Sequence, residues 1–177
     1  DLVYMNQVHG NNVVIVDENS SKLIDNCDGI ITNTKNLPLM VMVADCIPIL
    51  LHDAKKGVIA AVHAGRNSTF LKITSKTVKM MIETFGCNPE DIEATFGPSI
   101  QVCCYEVSED VIEQFKEAFE EKYWNELFYE KPDGKYQLNL WEANRRIFLD
   151  AGIKEERISM PGICTCCNPL FLYSHRA

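Results

Sequence analysis

The run Gly57 to His63, GVIAAVH, constrains this chain more than any other feature. It is continuously apolar, the pattern of a strand buried on both faces, and it ends at Ala64-Gly65, a strand-to-helix turn. A strand covered on both sides needs a layer above and below it, so the rest of the sequence must supply those layers. Val13 to Val16, Gly29 to Thr32, Ile92 to Phe96 and Arg157 to Met160 read as further strands. Leu39 to Leu51 reads as one more buried strand, interrupted or left at Pro48. A helix is expected over Ser68 to Phe85, with Leu71, Thr74, Val78, Met81, Ile82 and Phe85 on one face and Gly86 closing it. A second is expected from the cap Ser108 to Trp124, and a third from Leu140 to Ala151, stopped by Gly152. Strands and helices mix without strict alternation or repeat. The expectation is one α/β (or α+β) domain over residues 1–177 with a mixed sheet and flanking helices.

Hydrophobic residues make up 46% of the 177, enough for one sizeable core. The net charge of −8, with no basic block longer than Arg145-Arg146, argues against nucleic acid as a partner. The longest apolar stretch, Leu37 to Leu51, is broken by Asp45 and Pro48, so no membrane span is expected. The first residue is Asp1, directly ahead of strand-like sequence, which suggests an incomplete N-terminus. Among the eight cysteines, Cys103-Cys104 and Cys166-Cys167 are adjacent pairs. Neighbours pair poorly with each other, so thiol chemistry or metal binding in a reducing, cytoplasmic setting is expected over a disulfide framework.

The histidines are few. His9 precedes a strand in QVHG, and His63 ends the GVIAAVH strand. Cys46 lies inside the longest apolar run beside Asp45, whose carboxylate needs a partner there. One thiolate and two imidazoles would hold zinc with its fourth position open, as catalytic zinc requires. Each of the three could equally be a satisfied core or turn residue. Cys103, Cys104, Cys164, Cys166 and Cys167 could build a structural zinc site, a weaker reading because such sites usually pair cysteines at a Cys-x2-Cys spacing that the adjacent pairs do not suggest. Cys104 could instead be a nucleophile paired with a histidine, or an inert buried thiol. Arg66, Arg145, Arg146 and Arg176 could hold a phosphate or carboxylate, or simply form surface ion pairs. His52 reads as structural.

Taken together, QVHG, CDGIIT (from Cys27), ADCIPILL (from Ala44), VHAG (from Val62), GPSIQVCCYEV (from Gly97), LNLWEANRRIFLDAGI (from Leu138) and GICTCCNP (from Gly162) resemble the YfiH family. The family is also called the laccase-domain, polyphenol oxidase or peptidoglycan-editing-factor family. The segments occur in family order along almost the whole chain. The resemblance implies an α/β sandwich like that of Cys-His deamidating toxins, with His9, Cys46 and His63 as metal ligands. It also implies that Cys104 and the Arg145-Arg146 helix lie beside the site. Three departures stand out. The family pattern HAGWRGT reads HAGRNST here, displacing the arginine to Arg66. A Ser-Tyr-Arg-Arg pattern becomes Ser174-His175-Arg176, and family members start earlier and run further.

Three activities are attached to the family. A multicopper oxidase holds its coppers with His-x-His pairs, and four histidines without such a pair do not supply them, though copper could occupy the His/Cys/His site. Purine nucleoside phosphorolysis (adenosine, inosine, methylthioadenosine) with adenosine deamination fits a zinc site plus an arginine for phosphate, here Arg66, Arg145 or Arg146. Amide hydrolysis that removes serine from a peptidoglycan precursor fits the same site, with Asp45 as base or as support for the ligand beside it. A non-enzymatic zinc-stabilised module would instead close the site with a fourth ligand, Cys104 or Cys164. The nucleoside reading is the expectation carried forward, with amide hydrolysis as the alternative.

Overall fold

The structure, a computed structural model, describes residues 2–177. The N-terminal half alternates short strands with loops: β1 (Val3–Met5), β2 (Val13–Ile15), β3 (Leu23–Ile24), β4 (Gly29–Thr32) and β5 (Leu39–Met40). A long hairpin follows, β6 (Ile47–Asp53) and β7 (Val58–Ala64), leading into helices α1 (Arg66–Phe70) and α2 (Ile73–Phe85). Then come β8 (Ile92–Phe96), β9 (Glu106–Val107), α3 (Glu109–Ala118) and α4 (Trp124–Leu127). The chain continues with β10 (Phe128–Glu130), β11 (Tyr136–Leu138), α5 (Leu140–Asp150) and β12 (Ile158–Ser159).

The main sheet has six strands in the order β12-β8-β6-β7-β4-β2 and is mixed. Its outer pairs β12–β8 and β2–β4 are parallel, while the central pairs are antiparallel. Alternation places Ile47, Ile49 and Leu51 of β6 on the face covered by α2 and α5, with Phe96, Phe148 and Trp141 packed edge-on among them. The other face carries Ile30 and Ala61 against a small parallel sheet, β3-β1-β5, through Val3, Met5 and Leu37. β7 is therefore buried on both sides, as GVIAAVH demands. Asn144 of α5 fastens the helical layer. Its amide nitrogen donates to Thr69 Oγ1 and to the Leu140 carbonyl, both at 2.9 Å. A third sheet, β10-β11-β9, is antiparallel and packs beside α3.

Three expected elements are broken, each for a visible reason. Leu39 to Leu51 is two strands in two sheets, because Asp45 takes a left-handed conformation (φ +83°) and turns the chain before β6. The helix over Ser68 to Phe85 is α1 plus α2, separated by Lys72 at φ +55°, and Leu71 is turned outward at 39% exposure. The helix expected from Ser108 to Trp124 stops at Ala118, where Phe119 is extended and its carbonyl accepts the indole N–H of Trp124 at 2.9 Å. Ser108 precedes α3 as expected, but its hydroxyl bonds the Asp110 carboxylate rather than a helix amide.

Candidate metal centre

The hairpin register sets Ile47 opposite Ala64 and Pro48 opposite His63, so the start of β6 lies beside the end of β7. Cys46, one residue before β6, thereby reaches the turn that follows His63. Gly65 occupies that turn. A Cβ there would stand 3.0 Å from Cys46 Sγ, 3.3 Å from the His9 ring and 3.7 Å from the His63 ring. His9 arrives from the loop after β1 in a left-handed conformation, φ +59°. The donor atoms of His9, Cys46 and His63 all lie within 4.8 Å of one another. The two imidazoles meet edge to face, with centroids 4.7 Å apart.

One carboxylate organises this arrangement. Asp28, fully buried ahead of β4, has Oδ1 at 2.7 Å from His63 Nδ1 and accepts the amide of His9 at 2.9 Å. Its Oδ2 accepts the amides of Gly10 at 2.8 Å and Val8 at 3.2 Å. Asn67 adds a bond from its side-chain nitrogen to the His9 carbonyl at 2.6 Å. A proton on His63 Nδ1, donated to Asp28, leaves Nε2 as the lone-pair donor. Burial, outweighing the pull of Asp28, holds His63 below its ordinary value and so neutral. Burial and then the charges of Asp45 and Asp28 push the Cys46 thiol up to about 11. A half-buried thiol near carboxylates and a neutral imidazole beside it suit a cation, which would stabilise the thiolate. The donor set of one sulfur and two imidazole nitrogens matches zinc or copper. Asp28 was not singled out from the sequence, although its lone carboxylate just ahead of the apolar strand GIIT was the available signal.

The site opens on a cavity of about 890 Å³ walled by Met5, Met42, Arg66, Tyr105, His175 and Arg176. Arg66 is therefore on the cavity, and so is Arg176, whose guanidinium lies 5.2 Å from the Tyr105 ring centre. Asp45 lines it too, but both its oxygens are engaged. Thr165 Oγ1 donates to Oδ1 at 2.6 Å, and the amides of His175 and Arg176 donate to Oδ2 at 2.7 and 3.0 Å. Burial raises this carboxyl, yet these bonds outweigh it and hold Asp45 below the usual range. Of the two roles expected of Asp45, base or support, these bonds favour support: its carboxylate ties Thr165, His175 and Arg176 beside Cys46.

The remaining candidates lie elsewhere. Arg145 is paired with Glu142 and Glu155, at 2.9 and 2.8 Å, and Arg146 with Glu126 and Glu142, at 2.6 and 3.1 Å. Neither lines the cavity, because α5 turns both toward its own acidic partners. Cys104 has no histidine partner among the described residues. Its sulfur lies 3.4 Å from Cys167 Sγ, and burial followed by neighbouring thiols pushes it well above the ordinary thiol range, which disfavours a nucleophile. His52 is exposed on the outer face of β6.

All 177 residues match the family described as multi-copper polyphenol oxidoreductase laccase. The chain belongs to that family. Within it, the purine nucleoside phosphorylase YlmD of Bacillus subtilis strain 168 is 38% identical over 149 residues, covering 84% of this chain and 53% of YlmD. Adenosine deaminase RL5, from an unknown prokaryotic organism, is 31% identical over 185 residues, covering 99% of this chain and 70% of RL5. The chain thus spans 53% of the length of YlmD and 70% of that of RL5. Among solved structures, the hypothetical protein YfiH of Bacillus licheniformis superposes with a TM-score of 0.93 at 31% identity, covering 99% of this chain and 68% of that one. YlmD from Geobacillus stearothermophilus gives 0.91 at 29% identity, covering 99% and 67%. These matches bear out the expected α/β architecture of the laccase-like family. No helix among the described residues is long and apolar enough to cross a membrane.

Proposed function

We propose that this chain is the catalytic part of a zinc-dependent purine nucleoside phosphorylase that also deaminates adenosine, with His9, Cys46 and His63 holding the metal. The observation that carries the reading is the meeting of three convergent donors with two arginines on one cavity. The names of the relatives, purine nucleoside phosphorylase and adenosine deaminase, support it. A zinc ion held by three protein ligands supplies Lewis-acid chemistry with room for a further ligand.

The protein's own groups have separate tasks. Arg66 and Arg176 put positive charge at the cavity wall, where phosphate would be oriented. Met5, Met42 and the Tyr105 ring give the apolar surface a purine needs, and the cavity volume suits a nucleoside. Gln7 is occupied holding the wall, donating to the Met42 carbonyl at 2.7 Å and accepting the Met42 amide at 3.0 Å. Phosphorolysis breaks the bond between the ribose carbon and the purine nitrogen and joins that carbon to a phosphate oxygen. Deamination replaces the C6 amino group with oxygen from water and releases ammonia. Both reactions need an ordered purine and an electrophilic centre beside it.

Metal content, and adenosine turnover with and without phosphate, test the reading in the wild type and in Cys46→Ala. One zinc lost in the mutant, with phosphate-dependent adenine release lost alongside it, is the expected result for phosphorolysis. Phosphate-independent inosine formation, lost in the same mutant, is the expected result for deamination. Zinc present with neither product overturns the assignment and directs the search to amide substrates.

A further inference from the structure

Away from the cavity's donor triad, a second group of soft ligands is assembled. The sulfurs of Cys103, Cys104, Cys164 and Cys167 all lie within 4.8 Å of one another. Cys103 Sγ is 3.7 Å and Cys104 Sγ 3.4 Å from Cys167 Sγ. Four sulfurs each at ~2.3 Å from a tetrahedral zinc are ~3.8 Å apart. These two spacings are close to that edge length. Bonded sulfurs stand at about 2.05 Å, so a disulfide would require the pair to move together by more than an ångström.

The backbone builds this cluster from two chain segments. Cys103 and Cys104 lie on the turn after Gln101, where the amides of Cys104 and Tyr105 both donate to the Gln101 carbonyl at 3.0 Å. Cys164 and Cys167 lie on a second turn, closed by the Asn168 amide on the Thr165 carbonyl at 3.0 Å and by the Asn168 side chain on the Cys164 carbonyl at 2.8 Å. A parallel bridge between Ser99 and Cys164 joins the segments, with bonds from Ser99 N to Ile163 O and from Thr165 N to Ser99 O. Cys164 and Cys167 are themselves a Cys-x2-Cys pair, masked in the sequence by Cys166 between them.

We propose that Cys103, Cys104, Cys164 and Cys167 form a second metal site, a closed tetrathiolate for zinc that fastens segment 162–168 to the loop 97–105. A closed shell of four converging sulfurs is the arrangement of a structural ion. The site has a clear beneficiary. Tyr105 directly follows Cys104 and walls the cavity, and Thr165 directly follows Cys164 and bonds Asp45, the neighbour of Cys46. The clip therefore holds two walls of the cavity without taking part in its chemistry.

The proposal is independent of the nucleoside reading and has its own readout. Cys46→Ala removes the only thiolate of the first site, and cobalt(II) is then added to the metal-free, reduced chain. One equivalent should produce intense thiolate-to-cobalt charge transfer and the visible bands of tetrahedral cobalt, displaced by zinc. Zinc should also remove four thiols from reaction with a disulfide reagent in the folded Cys46→Ala chain. Cys164→Ser with Cys167→Ser should abolish both signals. Should that double variant fail to fold, the Cys46→Ala spectrum and thiol count decide alone. Absence of charge transfer with all thiols still reactive overturns the proposal. So does a freshly reduced and repurified chain in which Cys103 or Cys104 is already cross-linked to Cys167.

Discussion

Asp28 and His63 meet through Oδ1 and Nδ1 at 2.7 Å, both almost wholly buried, and the same carboxylate gathers the amides of Val8, His9 and Gly10. One side chain thus sets the orientation of one imidazole and the backbone of the other. Asp28→Asn should weaken zinc binding at the triad about 10- to 100-fold, the usual effect of removing a ligand's supporting carboxylate. Competition titration against a chelator measures it. Unchanged affinity would show that His9 and His63 are positioned without it.

Gly65 gives a test by crowding alone. Its φ of −79° is open to any residue, so Gly65→Ala strains no backbone. Its new methyl would press on Cys46 Sγ at 3.0 Å and on the His9 ring at 3.3 Å, and zinc binding should fall while folding is retained. Gly57→Ala is the control, because Gly57 has φ +64° with open space around it. That change should cost about 1 kcal/mol of stability through the left-handed backbone and leave metal affinity unaltered. Isothermal binding and urea unfolding on both variants separate the two effects.

Metal affinity should rise with pH. Cys46, with its thiol at about 11, is protonated in the free chain, so zinc must displace that proton. His63 is held below its ordinary value and is already neutral at pH 7. Cys46 thus releases one proton, and the apparent affinity of the His9–Cys46–His63 site should increase about tenfold per pH unit from pH 7 to 9. A flat profile over that range would mean the thiolate exists before metal arrives.

Asp45 anchors the residues that overhang the cavity. Its carboxyl is held below the usual range by bonds from Thr165, Ser174 and the amides of His175 and Arg176, which outweigh its burial. The stability it contributes is present above its unfolded value near 3.9 and is lost as pH falls through the lower, folded value. Asp45→Ala should release the amides of His175 and Arg176 to fast hydrogen exchange at pH 7, with little change in the exchange of β7. Retained protection at those two amides would place the anchor elsewhere.

GVIAAVH announced a strand covered on both sides, and the helical and small-sheet layers are there. The periodic faces of α2, α3 and α5 were equally legible, since burial imposes the 3.6-residue repeat on the sequence. The breaks were not. Asp45 and Lys72 adopt left-handed conformations that neither residue type announces, so a strand and a helix were each read as one piece. The metal triad could be suspected from residue type, but its three members converge only through long-range pairing. Arg145 and Arg146 looked available because their acidic partners Glu126, Glu142 and Glu155 are spread over 30 positions of sequence. Tyr105 and the last residues of the chain reach the cavity only through tertiary folding, which no local pattern records.

The β6–β7 turn carries a consequence for how this protein can change over time. Asp53 Oδ1 accepts the amides of Lys55 and Lys56, at 2.9 and 3.0 Å, and Gly57 completes the reversal at φ +64°. Surface turns ordinarily tolerate insertions and deletions. This one works as a ruler, because its length sets which residue of β7 stands beside Cys46. A slip of one residue would send His63 to the helix-covered face and bring an aliphatic neighbour to the cavity in its place. Length variation is therefore open to the other loops of this chain and closed to the short turn at the end of the hairpin remote from the metal.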